Sequence, residues 1–353
     1  MASALGSEKE MREDDGSPSS PSGMSQYMDM TRTSEFTQEP HPTSMNLTTD
    51  NPDTSDTRVP DTSDAKKQGY GIPVDRPSAN MPVGALSLEY NMNHKQRGLA
   101  VIFVHKTYCD GGPSSRACAD HDRDICKKAF KHLGFTVEIH EDLRKKKFLQ
   151  TLEEVSQRDH SDYDGLVVVF MSHGGIHQNT NTEFIWTFDG KVNTTELWKN
   201  FHAANCPSLA GKPKMFFIQA CRGEDADKGV QLKARPRGLA VKTDSPHITQ
   251  QDKEYAIPLY ADMLMMWASY TGMYAFKSAK NGINGSVYLH FLTKVLTEDA
   301  HNDDLATMLL RVTREVAVQY ESRTSDPKDK IHKNKQVPQT LSTLMRKLYF
   351  FKK

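Results

Sequence analysis

Lys214-Met215-Phe216-Phe217-Ile218-Gln219-Ala220-Cys221-Arg222-Gly223 is the stretch on which the reading of this chain turns. Its short run of aromatic and branched apolar residues predicts a strand covered on both faces. The run stops at a cysteine followed by Arg222 and Gly223. A thiol at the carboxyl end of a buried strand sits where open α/β sheets place their ligands. Upstream, Leu166-Val167-Val168-Val169-Phe170-Met171 is a second apolar run, leading into Ser172-His173-Gly174-Gly175. Two parallel strands ending side by side would bring His173 and Cys221 together, although 48 residues separate them.

Working outward, strands are predicted over 100–105, 135–140, 165–172, 214–220 and 263–269, with a closing strand over 341–351. Helices are predicted over 120–133, 144–157, 285–296 and 304–321, and a short one over 194–203. Strands alternating with helical periods imply an α/β fold with a parallel sheet wrapped on both sides. Leu305, Met308, Leu309, Val312, Val316 and Tyr320 fall at helical spacing and form a core stripe with no cofactor meaning.

Of 353 residues only 37% are hydrophobic, which points to a disordered portion. Residues 1 to about 85 are rich in Ser, Thr, Pro, Asp and Met and lack apolar periodicity, so they cannot offset their ordering entropy. The net charge is zero but uneven: residues 1–80 hold 14 acidic and 7 basic side chains, so the remainder is mildly basic. That balance, with no Lys/Arg cluster interleaved with aromatics, argues against a nucleic-acid partner. Lys145-Lys146-Lys147 reads as a solvated helix face. Cys109, Cys118, Cys126, Cys206 and Cys221 are odd in number and irregular in spacing. They imply a reducing compartment rather than a disulfide framework, and without a CxxC pair no metal is expected. With neither a signal pattern nor a long apolar run, the expectation is a soluble, cytoplasmic protein without a membrane partner.

The motif Gln219-Ala220-Cys221-Arg222-Gly223 with a histidine some 50 residues upstream is the known signature of the caspases. From about Tyr90 to the C-terminus the chain resembles an effector caspase of animals. The similarity includes Arg97-Gly98-Leu99-Ala100-Val101-Ile102-Phe103, Ser208-Leu209-Ala210-Gly211-Lys212-Pro213-Lys214, Lys335-Gln336-Val337-Pro338 and Leu348-Tyr349-Phe350-Phe351. The resemblance implies a three-layer sandwich around a six-stranded, mostly parallel sheet. It implies dimerisation through an antiparallel C-terminal strand, with Tyr349, Phe350 and Phe351 buried at the interface. It also implies a prodomain over 1–85 and a caspase domain over 86–353. That domain would divide into a large subunit (about 86–244) and a small one (about 245–353), released by cleavage in a linker over about 224–254. Asp244, followed by Ser245, matches the linker site, with Lys242 a departure; Asp225 and Asp227 are weaker candidates. Asp61-Thr62-Ser63-Asp64, followed by Ala65, has the Asp-x-x-Asp pattern such enzymes cut, making Asp64 the prodomain site.

Peptide hydrolysis by a thiol needs a nucleophile, a proton donor for the leaving amine and a stabilised oxyanion. Cys221 is the candidate nucleophile against the commoner fate of an inert buried cysteine, and His173 is the general acid/base. A protonated imidazole beside a cysteine would also lower the thiol pKa. Gly174 and Cys221 would supply backbone N–H groups to the oxyanion. By resemblance, a carbonyl near Ser114-Ser115-Arg116 orients His173, Arg116 and Gln219 hold the substrate aspartate, and Phe276 lines the pocket beside it. Lys277 stands where the family has a second arginine. Altered spacing follows around Lys280-Asn281-Gly282-Ile283-Asn284-Gly285, and Val287-Tyr288 replaces an aromatic pair. Two functions follow. One is an endopeptidase cutting proteins after aspartate, made as a zymogen, activated by an upstream caspase and needing no cofactor. The other is a weakly active or inactive relative that binds another caspase and modulates it.

Overall fold

The computed structural model describes residues 78–231, 255–279 and 282–353, all within one unit, Gly71–Lys353. Asp64 and Asp244 lie outside the described residues, as do Lys280 and Asn281. In chain order the elements are β1 (Gln96–Val104), α1 (Ala119–His132), β2 (Thr136–Glu141), α2 (Lys145–Ser156) and β3 (Tyr163–Met171). Three short strands follow, β4 (Gly174–Ile176), β5 (Glu183–Trp186) and β6 (Lys191–Asn193), and then β7 (Lys214–Gln219) and β8 (Met263–Trp267). The chain continues with β9 (Lys277–Ser278), β10 (Gly285–Ser286), α3 (Val287–Asp299), α4 (Leu305–Gln319) and β11 (Gln339–Ser342).

The main sheet runs in the order β11-β8-β7-β3-β1-β2. All its pairs are parallel except β11 with β8. Successive residues of a strand face opposite sides, so each central strand feeds two cores. Ala100, Ile102, Val167, Val169, Met215 and Phe217 meet α1, α3 and α4 on one face. Leu99, Val101, Phe103, Val168, Phe170, Phe216 and Ile218 meet α2 and the turns carrying Leu197, Phe201 and Leu209 on the other. The result is the three-layer, six-stranded arrangement expected. The stripe on α4 is buried as predicted, and Asp304 caps that helix by accepting from Ala306 N at 3.0 Å.

Three expectations need correction. Residues 194–203 form two turns of 3-10 helix, Thr194–Leu197 and Lys199–Phe201, rather than an α-helix. Two adjacent threonines start the segment without a side-chain cap, and Trp198 leaves helical geometry between the turns. The helix expected from 285 begins at Val287, because Gly285 and Ser286 pair with Lys277–Ser278 instead. The closing strand is limited to Gln339–Ser342. Beyond it the chain folds back over its own domain, where Lys347 bonds the backbone of Leu88 and Tyr90. Phe350 is therefore buried in this chain's own core, edge-on to Phe135 at 6.1 Å, and is not held for an interface. Phe351 is exposed and stacks on Tyr349. Lys145, Lys146 and Lys147 are solvated, as expected.

At the end of the stretch expected to be disordered, Asn91 Nδ2 donates to Pro82 O at 3.3 Å and Tyr255 OH to Val83 O at 3.0 Å. The buried Arg346 reaches Gly84 O at 3.2 Å and Tyr255 OH at 2.9 Å. Arg346 thus fastens the start of the domain to the first described residue after 232–254.

His105, just past β1, is buried against Phe148 and has no hydrogen-bond partner on either ring nitrogen. Burial pushes its pKa from 6.5 down to about 4, with Asp142 opposing the shift and Arg116 adding to it. The unfolded chain therefore takes up this proton before the folded one. Stability should be lost as pH falls from 6.5 towards 4, by on the order of 3 kcal/mol in full. In His105→Leu, thermal unfolding followed between pH 7 and pH 4 should show a shallower decline than the wild type; identical slopes would assign the acid sensitivity elsewhere.

Candidate active site

The parallel register of β3 on β7 pairs Met171 with Gln219. Ser172 N continues it by donating to Gln219 O at 3.0 Å. Two residues beyond that pair on each strand stand His173 and Cys221. Gly174 is fixed by close approach: a Cβ there would lie 2.7 Å from Cys221 O, 2.8 Å from Phe184 O and 3.0 Å from Ala220 Cβ. Any side chain would push the two strand ends apart.

His173 Nε2 lies 2.9 Å from Ser114 O, in the stretch expected to orient it. With Nε2 carrying the proton, that carbonyl accepts and Nδ1 is left as the basic nitrogen. The ring is further held by Tyr108, whose centroid lies 5.5 Å away and whose hydroxyl accepts from His173 N at 3.3 Å. The same hydroxyl contacts Ser172 Oγ at 3.1 Å and donates to His105 O at 3.0 Å. Cys221 Sγ sits against Ala275, within 3.6 Å of its carbonyl oxygen and 3.4 Å of its nitrogen.

Burial pushes the His173 pKa down; Ser114 O opposes this, while the cations Arg116 and Lys277 add to it. Burial pushes the Cys221 thiol up, against the lowering effects of the Ala275 backbone, Arg116 and Lys277. Desolvation by burial is the first cause of both shifts, while the cations Arg116 and Lys277 favour the thiolate and disfavour the imidazolium.

Arg116 is buried, with Nη1 3.4 Å from His105 O and Nη2 3.4 Å from Asp122 Oδ2. Gln219 is buried too, and its Oε1 has no partner. Lys277 is exposed on β9, opposite Ser286. Its charge, like that of Arg116, acts on both His173 and Cys221. Phe276 is nearly buried; its ring lies 5.6 Å from Tyr320, and Gln336 Oε1 accepts from its N–H at 2.8 Å. The expected site residues therefore converge on one end of the sheet. Asp225 and Asp227 are tied down instead, in bridges to Met273 and Lys335. Among the described residues, no group of three or more His, Cys, Asp or Glu converges as metal ligands would, and no helix is long and apolar enough to cross a membrane.

Four contributors escaped the sequence reading. Arg222 packs over Trp267 at 4.6 Å, pairs with Glu183 at 2.7 Å and reaches Gln339, so it fastens the end of β7 to β5, β8 and β11. Tyr108 and Ser286 gave no pattern to read. Asp122 did leave a signal: it stands on the same helical stripe as Cys126, Ala129 and Phe130, a charge on a buried face.

The caspase-domain family model matches residues 97–349. The chain belongs to the caspase family. It is 35% identical over 279 residues to Caspase-1 of Drosophila melanogaster, covering 79% of this chain and 81% of that one. It is also 35% identical over 271 residues to Caspase-3 of Bos taurus, covering 75% and 89%. A crystal structure of caspase-1 from Spodoptera frugiperda superposes with a TM-score of 0.68 at 33% identity, covering 78% of this caspase and 100% of that chain. The six-stranded, mostly parallel sheet between helical layers is the caspase fold.

The upward push that burial gives the Cys221 thiol of this caspase has a measurable consequence. Alkylation of Cys221 by iodoacetamide in the ligand-free protein, followed by peptide mass spectrometry, should be slow at pH 7. It should keep rising with pH beyond the ordinary thiol range, because only the thiolate reacts. A rate already on its plateau at pH 7 would mean that an ion pair exists before substrate arrives.

Proposed function

We propose that this caspase is a cysteine endopeptidase that cuts proteins after aspartate in apoptosis. It would be made as a zymogen and matured by an upstream caspase cutting after Asp244, with Asp64 as the prodomain site. The observation that carries this reading is the register of β3 on β7, which stations His173 and Cys221 on adjoining strand ends with Gly174 against the Cys221 carbonyl. In this reading Cys221 gives its proton to His173 as the sulfur attacks the peptide carbonyl carbon. The N–H groups of Gly174 and Cys221 take the charge that develops on the carbonyl oxygen. Imidazolium His173 returns the proton to the leaving amine, and the carbon–nitrogen bond breaks. Water, deprotonated by His173, then cleaves the thioester and restores the thiol. Ser114 O steadies the imidazolium form.

Arg116, Gln219 and Lys277 would receive the aspartate carboxylate, and Phe276 would border the adjoining pocket. The partners are protein substrates and a second copy paired through the edge strand β11, or another caspase paired in the same way. β11 is the outermost strand on its side, and the exposed Leu341 lies on it. The cytoplasm fits five free cysteines, none in a disulfide.

Lys277 favours the second reading, a weak or inactive caspase that modulates another. A lysine offers one flexible charge where a guanidinium offers a planar fork. Losing one charge-assisted hydrogen bond costs about 1.5–3 kcal/mol, tenfold or more in rate. Linker-cleaved protein should turn over an Asp-x-x-Asp reporter, Cys221→Ala should not, and Lys277→Arg should raise kcat/KM by about tenfold. Background signal from wild type and Cys221→Ala alike, with strong turnover only in Lys277→Arg, would establish the modulator instead. In full-length protein, Asp244→Ala should block appearance of the two-subunit form on gels.

A further inference from the structure

Asp122 is fully buried, and its carboxylate gathers groups from three parts of the fold. Oδ1 accepts from Ser286 N at 2.9 Å, and Oδ2 accepts from Ser286 Oγ at 2.5 Å. Oδ2 also accepts from Arg116 Nη2 at 3.4 Å and from Cys118 Sγ at 3.5 Å. Gly285 yields space to it, since a Cβ there would lie 2.4 Å from Asp122 Oδ1, and the backbone φ of +136° is one that side chains rarely adopt. Ser286 is in turn the β partner of Lys277. One carboxylate therefore grips Arg116 directly and, through Ser286, the strand that carries Lys277. Both cations act on the same imidazole and the same thiol. The grip also joins residues on opposite sides of the linker, 122 and 286 being 164 positions apart.

We infer that Asp122 is the positioning residue that sets specificity for aspartate, by fixing Arg116 and the Lys277 strand at the spacing a short carboxylate side chain needs. This rests on the aspartate-cutting reading of the site. A buried guanidinium with no fixed anion beside it would collapse onto whatever acceptor lay nearest. A β9–β10 hairpin without its carboxylate anchor would let Lys277 drift. Looser cations accept longer carboxylates nearly as well, so discrimination between Asp and Glu is the property that depends on Asp122. Asparagine at 122 keeps the shape but turns one acceptor into a donor facing other donors.

The test uses linker-cleaved full-length protein carrying Asp122→Asn, Asp122→Glu or Ser286→Ala, with matched reporters ending in Asp or Glu. Asp122→Asn should raise KM for the Asp reporter about tenfold and change kcat far less. It should also shrink the Asp-over-Glu preference by a comparable factor. Asp122→Glu should recover part of that preference, and Ser286→Ala should show the same pattern in weaker form. An unchanged preference, or equal losses of kcat for both reporters alongside a lowered thermal midpoint, would make Asp122 a mere packing residue and overturn the inference. Should Asp122→Asn fail to fold, Ser286→Ala decides. If wild type turns over neither reporter, the endopeptidase reading has failed separately. Asp122 is then judged by fluorescence anisotropy in a Cys221→Ala background, with labelled peptides ending in Asp or Glu. Selective Asp binding lost in Asp122→Asn supports the inference, and equal or no binding of both peptides overturns it.

Discussion

Six backbone pairs between β3 and β7, Leu166 with Lys214 through Met171 with Gln219, hold the register on which the site depends. A slip of one residue would turn every side chain on one strand to the other face, setting Leu166 and Val168 against the wrong layer. It would also leave Ser172 or Gly174 beside Cys221 in place of His173. Apolar residues packed on both faces enforce the register, because Val167 and Val169 belong to one core and Val168 and Phe170 to the other. The precision of two side chains at the strand ends thus comes from burial several residues away.

Around that frame the buried charges mark places where loops are fastened. Arg97 with Asp164 lies at the amino ends of the central strands, and Arg116 with Asp122 and Arg222 with Glu183 lie at the carboxyl ends. Such pairs stabilise little beyond what apolar packing would, yet breaking one strands a buried charge. Their effect is to define which loop meets which. Arg222 follows the nucleophile directly and is joined to the edge strand by Gln339, so the end of β7 and the outer edge of the sheet share one side chain.

Much of this was legible in the sequence, for reasons that can be stated residue by residue. Continuous apolar runs announced β3, β7 and β8, and the stripe from Leu305 to Val316 announced α4. The three-stranded sheet of β4, β5 and β6 escaped notice because its strands are three or four residues long and mix polar with apolar side chains. Nothing local reveals that the C-terminal segment turns Phe350 back onto Phe135, so its apolar side chain suggests an interface instead. In the site, Cys221 and His173 were marked by the glycines and strands around them. Asp122 makes its decisive contacts 164 residues away, and its one local sign was a charge on an apolar stripe. How deeply the Cys221 thiol and the His173 imidazole sit, which pushes the one pKa up and the other down, is a property that proximity in sequence does not carry.

The strand order also governs what a break in the backbone would do. β7 precedes residues 232–254 and β8 follows them, yet the two are adjacent parallel members of one sheet, with five paired residues between them. Arg346 meanwhile ties Tyr255, just past residue 254, to Gly84 at the far end of the preceding stretch. A nick anywhere in 232–254 would therefore leave two polypeptides sharing a single interior. They could part only by exposing Phe217 and Met266 to water, so scission would free the ends of the chain while its halves stayed one folded body.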